Sequence, residues 1–300
     1  MKHFWVLLSL TILLVTNTFA QKPDKPTSAE LFHEVQKLNF LGTALYVAAH
    51  PDDENTSLIS YMANHKKART VYLSMTRGDG GQNLIGPELR ELLGVLRTQE
   101  LLAARHMDGG EQRFTRANDF GFSKHPKETL KIWDKDKVLA DVVWTIRQIK
   151  PDVIINRFDH RTPGSTHGHH TSSAILSMEA FDLANDPNVY SEQLEQTTTW
   201  QPKRIFYNTS WWQYGSQEAF EKVDKSGMVS LDVGTYYPEL GLSNNEIASM
   251  ARSQHLCQGF GRLTDRGSDM EYIELLKGDM PKSNDVFEGI NTTWLSLIHI

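Results

Sequence analysis

The chain has 300 residues, of which 39% are hydrophobic and 23% charged, and a formal net charge of −6. That balance reads as an ordinary globular protein whose core needs no disulfide or structural metal to hold it. No long basic block occurs, which argues against a nucleic-acid partner, because phosphate binding needs clustered Lys and Arg.

Residues 1–20 read as a secretory signal. Lys2 precedes an apolar run over 4–14, and Thr18-Phe19-Ala20 supplies small residues before a cut after Ala20. The run is short for a hydrocarbon core of about 30 Å. Membrane contact is therefore expected only through this transient segment, and the mature protein is expected in the periplasm or outside the cell. Residues 21–39 read as a Pro-bearing linker and a first helix from about residue 28 to 38. Residues 40–294 read as one domain.

From there strands and helices alternate. Residues 43–49 are nearly all apolar, as a buried parallel strand would be. Residues 56–63 predict a helix, 69–75 a second strand, and 87–107 a long helix opened by Pro87. A helix over 136–149, a strand over 151–157 and a helix over 170–184 follow. This alternation predicts an α/β fold with a mainly parallel sheet flanked by helices. Such sheets carry their sites at the C-terminal ends of the strands. The polar segments 50–54, 76–83 and 158–170 should therefore share one rim.

Past residue 193 the pattern weakens. Residues 204–209 predict a strand, and Ser243 with Glu246 forms a capping box that should open a helix to about residue 257. Residues 270–276 predict an edge strand. Trp200, Tyr207, Trp211, Trp212, Tyr214, Tyr236 and Tyr237 make this stretch aromatic. Such residues line sugar sites when exposed and fill cores when not. The lone cysteine, Cys257, excludes an intrachain disulfide and reads as a small buried hydrophobe. The apolar ending over 295–300 has no cap or turn and reads as a non-native tail on a chain whose parent is longer.

The chemistry concentrates in two places. Ala49-His50-Pro51-Asp52-Asp53-Glu54 directly follows the first strand. His50 and Asp53, three apart across a tight turn, can point at one spot, and imidazole with carboxylate suits Zn²⁺. Thr166-His167-Gly168-His169-His170 leads into a helix. A catalytic zinc usually keeps three protein ligands and one open position, and His50, Asp53 and His170 would supply them. Asp52 would then take a proton from an attacking water. His167, left unligated, could be protonated and stabilise an oxyanion or protonate a leaving amine. That is metal-assisted hydrolysis of an amide.

These motifs resemble the PIG-L/LmbE family of zinc N-deacetylases, over roughly residues 40–190. The resemblance implies a Rossmann-like fold and removal of acetyl groups from N-acetylglucosamine-type substrates, small molecules or glycans. By position, His50, Asp53 and His170 match the zinc ligands, Asp52 the base and His167 the histidine beside the oxyanion. Arg97 and Glu100 resemble an Arg-x-x-Glu pair whose Arg would bind substrate hydroxyls. Their spacing fits an ordinary helical ion pair equally well. The second motif departs from the family's usual His-Pro-Asp-His. His169 stands where the family has an acid that orients the first histidine, a task Asp159 could take over. The Gly-rich loop 76–83 suits close backbone approach to a substrate. Two other readings stay open: a zinc amidase acting on a different acyl amide, and a carbohydrate-binding protein without catalysis.

Overall fold

A computed structural model describes residues 25–261 and 264–297. The proposed signal segment lies outside the described residues, as do the last three residues of the proposed tail. In chain order the elements are α1 (Ser28–Lys37), β1 (Thr43–Ala48), α2 (Thr56–Ser60, continued by a π-helical turn Tyr61–His65), β2 (Arg69–Ser74) and α3 (Glu91–Asp108). Then come β3 (Glu111–Phe114), α4 (Pro126–Trp133), α5 (Lys135–Ile149), β4 (Val153–Asn156) and α6 (Gly168–Leu183). The remainder is β5 (Arg204–Thr209), α7 (Gln217–Glu221), β6 (Met228–Asp232), the short pair β7 (Tyr236–Tyr237) and β8 (Leu242–Ser243), α8 (Asn244–Arg252) and β9 (Met270–Lys277).

Seven strands form one sheet in the order β3-β2-β1-β4-β5-β9-β6. The first five run parallel, and β9 pairs antiparallel with both β5 and β6. Both faces are covered, which explains the unbroken apolar run of β1. Ala44, Tyr46 and Ala48 pack into one core with Leu58, Met62 and Leu101. Leu45 and Val47 pack into the other with Val142, Ile146 and Leu176. The α/β fold with a mainly parallel sheet expected from the alternation is the one observed. Because β1, β2 and β4 are parallel neighbours, their C-terminal ends share a rim, and the segments that follow them meet there.

Three expectations need correction. The long helix begins at Glu91, not Pro87. Arg90 before it has a left-handed φ of 52°, and the preceding loop is pinned elsewhere. Asn83 accepts from the N–H groups of Ile85 and Gly86, and Leu84 donates to the carbonyl of Cys257. The strand at 270 is not an edge, since β6 covers its far side. Its glutamates find partners within the protein: Glu271 accepts from Asn55 and Asn208, and Glu274 pairs with Arg161. The capping-box helix does form, with Ser243 and Glu246 in the expected reciprocal bonds, but it ends at Arg252. Cys257 follows in a separate 3-10 turn, buried as expected. The aromatic stretch splits: Tyr207 and Tyr237 are core, while Trp211, Trp212 and Tyr236 are exposed.

Candidate metal centre and its cavities

β1 ends at Ala48, and the chain turns at once through His50–Asp53, closed by a hydrogen bond from the Asp53 N–H to the His50 carbonyl (3.3 Å). The Asp53 carboxylate bends back and accepts from the His50 N–H (2.7 Å), which fixes it beside the imidazole. Asp53 Oδ2 lies 3.1 Å from His50 Nδ1, and Asp53 Oδ1 lies 3.4 Å from His170 Nε2. His170 comes from the first turn of α6 and stacks flat on Phe158 at 3.9 Å. Turn and helix thus bring His50, Asp53 and His170 together, with ligand atoms within 4.8 Å of one another.

That spacing fits a cation. Ligand atoms about 2.0–2.2 Å from a tetrahedral zinc stand ~3.3–3.6 Å from each other. The two carboxylate contacts are close to this edge length. A second trio, His50, His167 and His169, also falls within 4.8 Å. It lacks a carboxylate and uses the fully buried His169, so the first trio is the better donor set for a dication. The charges agree. Burial works against the Asp53 charge, but His170 and His50 hold its carboxyl well below the usual range. Burial likewise opposes protonation of His50, yet Asp53 raises it to about 8. The pocket favours positive charge beside Asp53, whether proton or metal.

Asp52 takes an unusual backbone angle, φ 106°. An L-residue there costs about 1–3 kcal/mol, a strain found mostly at functional sites. Its carbonyl accepts from Arg252 and its carboxyl from the Gln258 amide. Burial and the neighbouring Asp53 charge push this carboxyl up to about 7. Beneath it Glu54 is buried, accepting from the Asp52 N–H (2.9 Å) and contacting His255 Nε2 at 2.7 Å. Burial alone would raise Glu54, but His255 and Arg105 hold it at about 2. Glu54, Arg252, His255 and Gln258 therefore brace the turn. Glu54 closes the first motif, whereas the other three lie some 200 positions away and carry no local signal.

His167 caps α6, its Nδ1 accepting from the His169 N–H (3.1 Å). Burial, with His50 and His170 nearby, lowers it to about 4. These surroundings disfavour the protonated His167 that the sequence left open and favour a neutral ring. His169 is fully buried among Phe120, Trp133, His50 and His167. Its Nδ1 lies 2.8 Å from His50 Nε2. It does contact a histidine, as the acid it replaces would, but the histidine is His50. Asp159 does not take that role, since it pairs with Arg161 at 2.8 Å. The acid nearest His169 is Asp119, at 3.8 Å. Gly168 is needed for a reason beyond flexibility. Its N–H donates to the Ser123 carbonyl (2.8 Å), and a Cβ would stand 2.5 Å from Ser123 Oγ. A proline in this position could not make that bond.

Arg97 is buried and donates to the Gln82 carbonyl (2.8 Å). A Cβ on Gly81 would collide with its guanidinium at 2.5 Å. Arg97 thus supports the glycine loop from behind. Glu100 does not pair with it and instead accepts from the Cys257 N–H (2.7 Å).

Two cavities meet at the centre. One, of about 500 Å³, lies between the glycine loop and His167, with Arg97, Phe122 and Phe260 in its wall. The other, of about 830 Å³, runs past Phe158 to Trp211, Trp212 and β9. Asp52, Asp53 and His170 line both.

Residues 45–181 match the family model described as PIG-L: GlcNAc-PI de-N-acetylase. A 1D-myo-inositol 2-acetamido-2-deoxy-alpha-D-glucopyranoside deacetylase from Thermobispora bispora is 31% identical over 161 residues, 48% of this chain and 52% of that protein. A relative of the same description from Frankia casuarinae is 33% identical over 166 residues, 48% of this chain and 51% of its own. The chain spans about half the length of these curated relatives. Among solved structures, GalB, the 4-carboxy-2-hydroxymuconate hydratase of Pseudomonas putida KT2440, aligns over 81% of this chain and 99% of its own. Its TM-score is 0.51 at 12% identity, a likeness of fold alone.

Proposed function

We propose that this chain, whose residues 45–181 match the PIG-L family model, is a zinc-dependent hydrolase that removes an acetyl group from an N-acetylglucosamine-type amino sugar or glycoconjugate. The observation that carries this is the set of His50, Asp53 and His170 at zinc-ligand spacing with the Asp52 carboxyl on the same turn, open to two cavities. The fold itself does not choose the reaction, since a hydratase shares it.

His50, Asp53 and His170 would hold a zinc ion, which when bound would supply Lewis acidity for an amide carbonyl and for water. The surrounding residues do the rest. Nε2 of His50, 2.8 Å from Nδ1 of His169, would carry the ring proton and donate it there, leaving Nδ1 beside Asp53 as the nitrogen that would hold the ion. Asp52, oriented by Gln258, accepts a proton from the water that attacks the acetyl carbon. His167 has its Nδ1 engaged as an acceptor, so Nε2 carries the proton and offers a neutral donor to the developing oxyanion. A neutral imidazole does not readily surrender its last proton. The departing amine is therefore protonated by Asp52, which returns to carboxylate as the C–N bond breaks and acetate leaves.

The test is acetate release from a panel of N-acetylated sugars, with zinc content measured on the same sample. Acetate should appear one-for-one with free amine, stop on chelation and return with zinc. Turnover that survives metal removal would sink the zinc reading. Hydrolysis of another acyl amide with every sugar inert would replace the substrate class.

We propose further that the enzyme acts outside the cytoplasm, supported by the charged, apolar and small-residue order of residues 1–20. N-terminal sequencing of the protein from its producing cells should then begin at Gln21. Active protein retained in the cytoplasm with Met1 in place would refute export.

A further inference from the structure

Helix α3 carries more apolar surface than its own chain covers. Leu93, Arg97, Leu101 and Ala104 form its buried side. On the side turned away, Leu92, Val95, Leu96 and Leu102 are 65%, 60%, 37% and 45% exposed. The loop leading into the helix adds Leu84, Ile85 and Leu89, each more than half exposed. Single exposed leucines are ordinary on a protein surface, but a continuous run of them marks a place where something docks.

The run has the spacing of a helix-pairing seam. Leu92, Val95, Gln99, Leu102 and His106 recur every three or four residues, which sets them on one stripe along the helix. The stripe is centred on Gln99 and balanced about it. Leu92 and His106 lie seven residues to either side, Leu96 and Leu102 three. Beside the stripe opens a hollow of about 370 Å³, lined by Glu91, Gly94, Val95 and Thr98. Those four, at i, i+3, i+4 and i+7, are the corners of a hole that takes a side chain from a facing helix. In an antiparallel partner crossing at Gln99, Leu102 falls level with this hole. It also lies on the same flank, and a two-fold axis across the helices keeps it there. The same pairing sets Glu91 of one copy beside His106 of the other and opposes the two helix dipoles. Among the described residues, neither of those side chains has a hydrogen-bond or ion-pair partner in its own chain.

We infer that this face docks a second copy of the chain, α3 against α3, antiparallel about a two-fold axis at Gln99. A two-fold contact needs one patch that complements itself. Here Leu96 faces Leu102, Glu91 faces His106, and each hole receives a leucine. Gln99 faces its own copy, and a primary amide both donates and accepts, so the pair satisfies itself. A lone polar residue in an apolar seam fixes the register, because a slipped pairing strands both amides against leucine. A different protein would require none of this symmetry. The contact is independent of which amide the chain hydrolyses.

Sedimentation equilibrium of the full chain over a concentration series measures the association, and wild type should dimerise. Val95→Glu/Leu102→Glu puts four carboxylates into the contact of one dimer and should weaken it by about 100-fold or more. Both positions are exposed, so the far-UV circular dichroism should not change. Gln99→Glu is the milder variant, in case the first misfolds. It sets two carboxylates face to face and should weaken the dimer by a smaller factor. A short bis-maleimide then tests the axis. Gln99→Cys should cross-link to itself. Leu92→Cys and His106→Cys should cross-link when mixed and stay single when alone. The native thiol of Cys257 is buried, and wild type serves as the blank. A wild type that stays monomeric overturns the proposal. So does a dimer equally tight in both Glu variants, which would place the contact elsewhere, residues 1–20 included. Cross-linking of Leu92→Cys alone, with none in the mixture, overturns the antiparallel pairing.

Discussion

Asp52→Asn is expected to lower kcat by about 10²–10⁴-fold, the usual contribution of a positioned acid or base, while zinc stays bound. Asn keeps the shape of the side chain and can still pair with Gln258. It is also among the residues that best tolerate positive φ, so the strained backbone at 106° survives. What it cannot do is take a proton. Stability should not fall either. The carboxyl it replaces is so disfavoured as a charge, by burial and by Asp53, that it sits at about 7. The measurements are kcat, zinc stoichiometry and melting temperature on one preparation. A kcat within three-fold of wild type at full zinc loading would remove Asp52 from the mechanism.

Asp53→Ala should give the opposite signature, loss of the metal and with it all acetate release above background. Losing a partner behind a ligand costs about 10–100-fold in metal affinity, and losing the ligand itself should exceed that. Asp53 also accepts from the His50 N–H at 2.7 Å and lies between two imidazoles. Its removal leaves a part-buried donor unpaired, so the metal-free variant should lose about 1–3 kcal/mol of stability as well. Zinc affinity by chelator competition and a denaturant melt of the metal-free forms measure the two effects. Retention of zinc at wild-type affinity would move the centre to the other trio, His50, His167 and His169.

The two variants act on adjacent residues, and that closeness explains what was legible in the sequence. His50, Asp52 and Asp53 lie in one turn after one strand, so local spacing suffices to bring them together. His170 follows from its place at a helix start on the same rim. Arg97 and Glu100 show where local spacing fails. Helical geometry brings them near each other, yet tertiary contacts send one to the glycine loop and the other to Cys257. His169 was legible as a departure but not as a partner of His50, because that 2.8 Å contact spans 119 positions. β3 escaped notice because Glu111–Phe114 is a short, largely polar edge strand with little hydrophobic signature. β9 is legible as a strand but not in its place, because Glu271 and Glu274 read alike whether they meet solvent or, as here, Asn55, Asn208 and Arg161. His255 and Gln258 had no pattern to betray them. They matter only through what they touch.

The antiparallel return of β9 between β5 and β6 has an evolutionary consequence. Every residue assigned to the metal or to proton transfer precedes position 171, on the parallel half of the sheet. The wall of the larger cavity draws Trp211, Trp212 and Met270–Tyr272 from the half that follows, beside Asn55, Arg157 and Phe158 from the first. The proposed metal ligands thus lie on one stretch of chain, and part of the larger cavity's wall on another. A lineage can reshape that wall through residues 204–277 and leave the proposed metal ligands untouched, provided Arg252, His255 and Gln258 persist to hold the Asp52 turn. The same boundary is where a designer would splice, exchanging the later stretch between relatives to change the cavity around a constant centre.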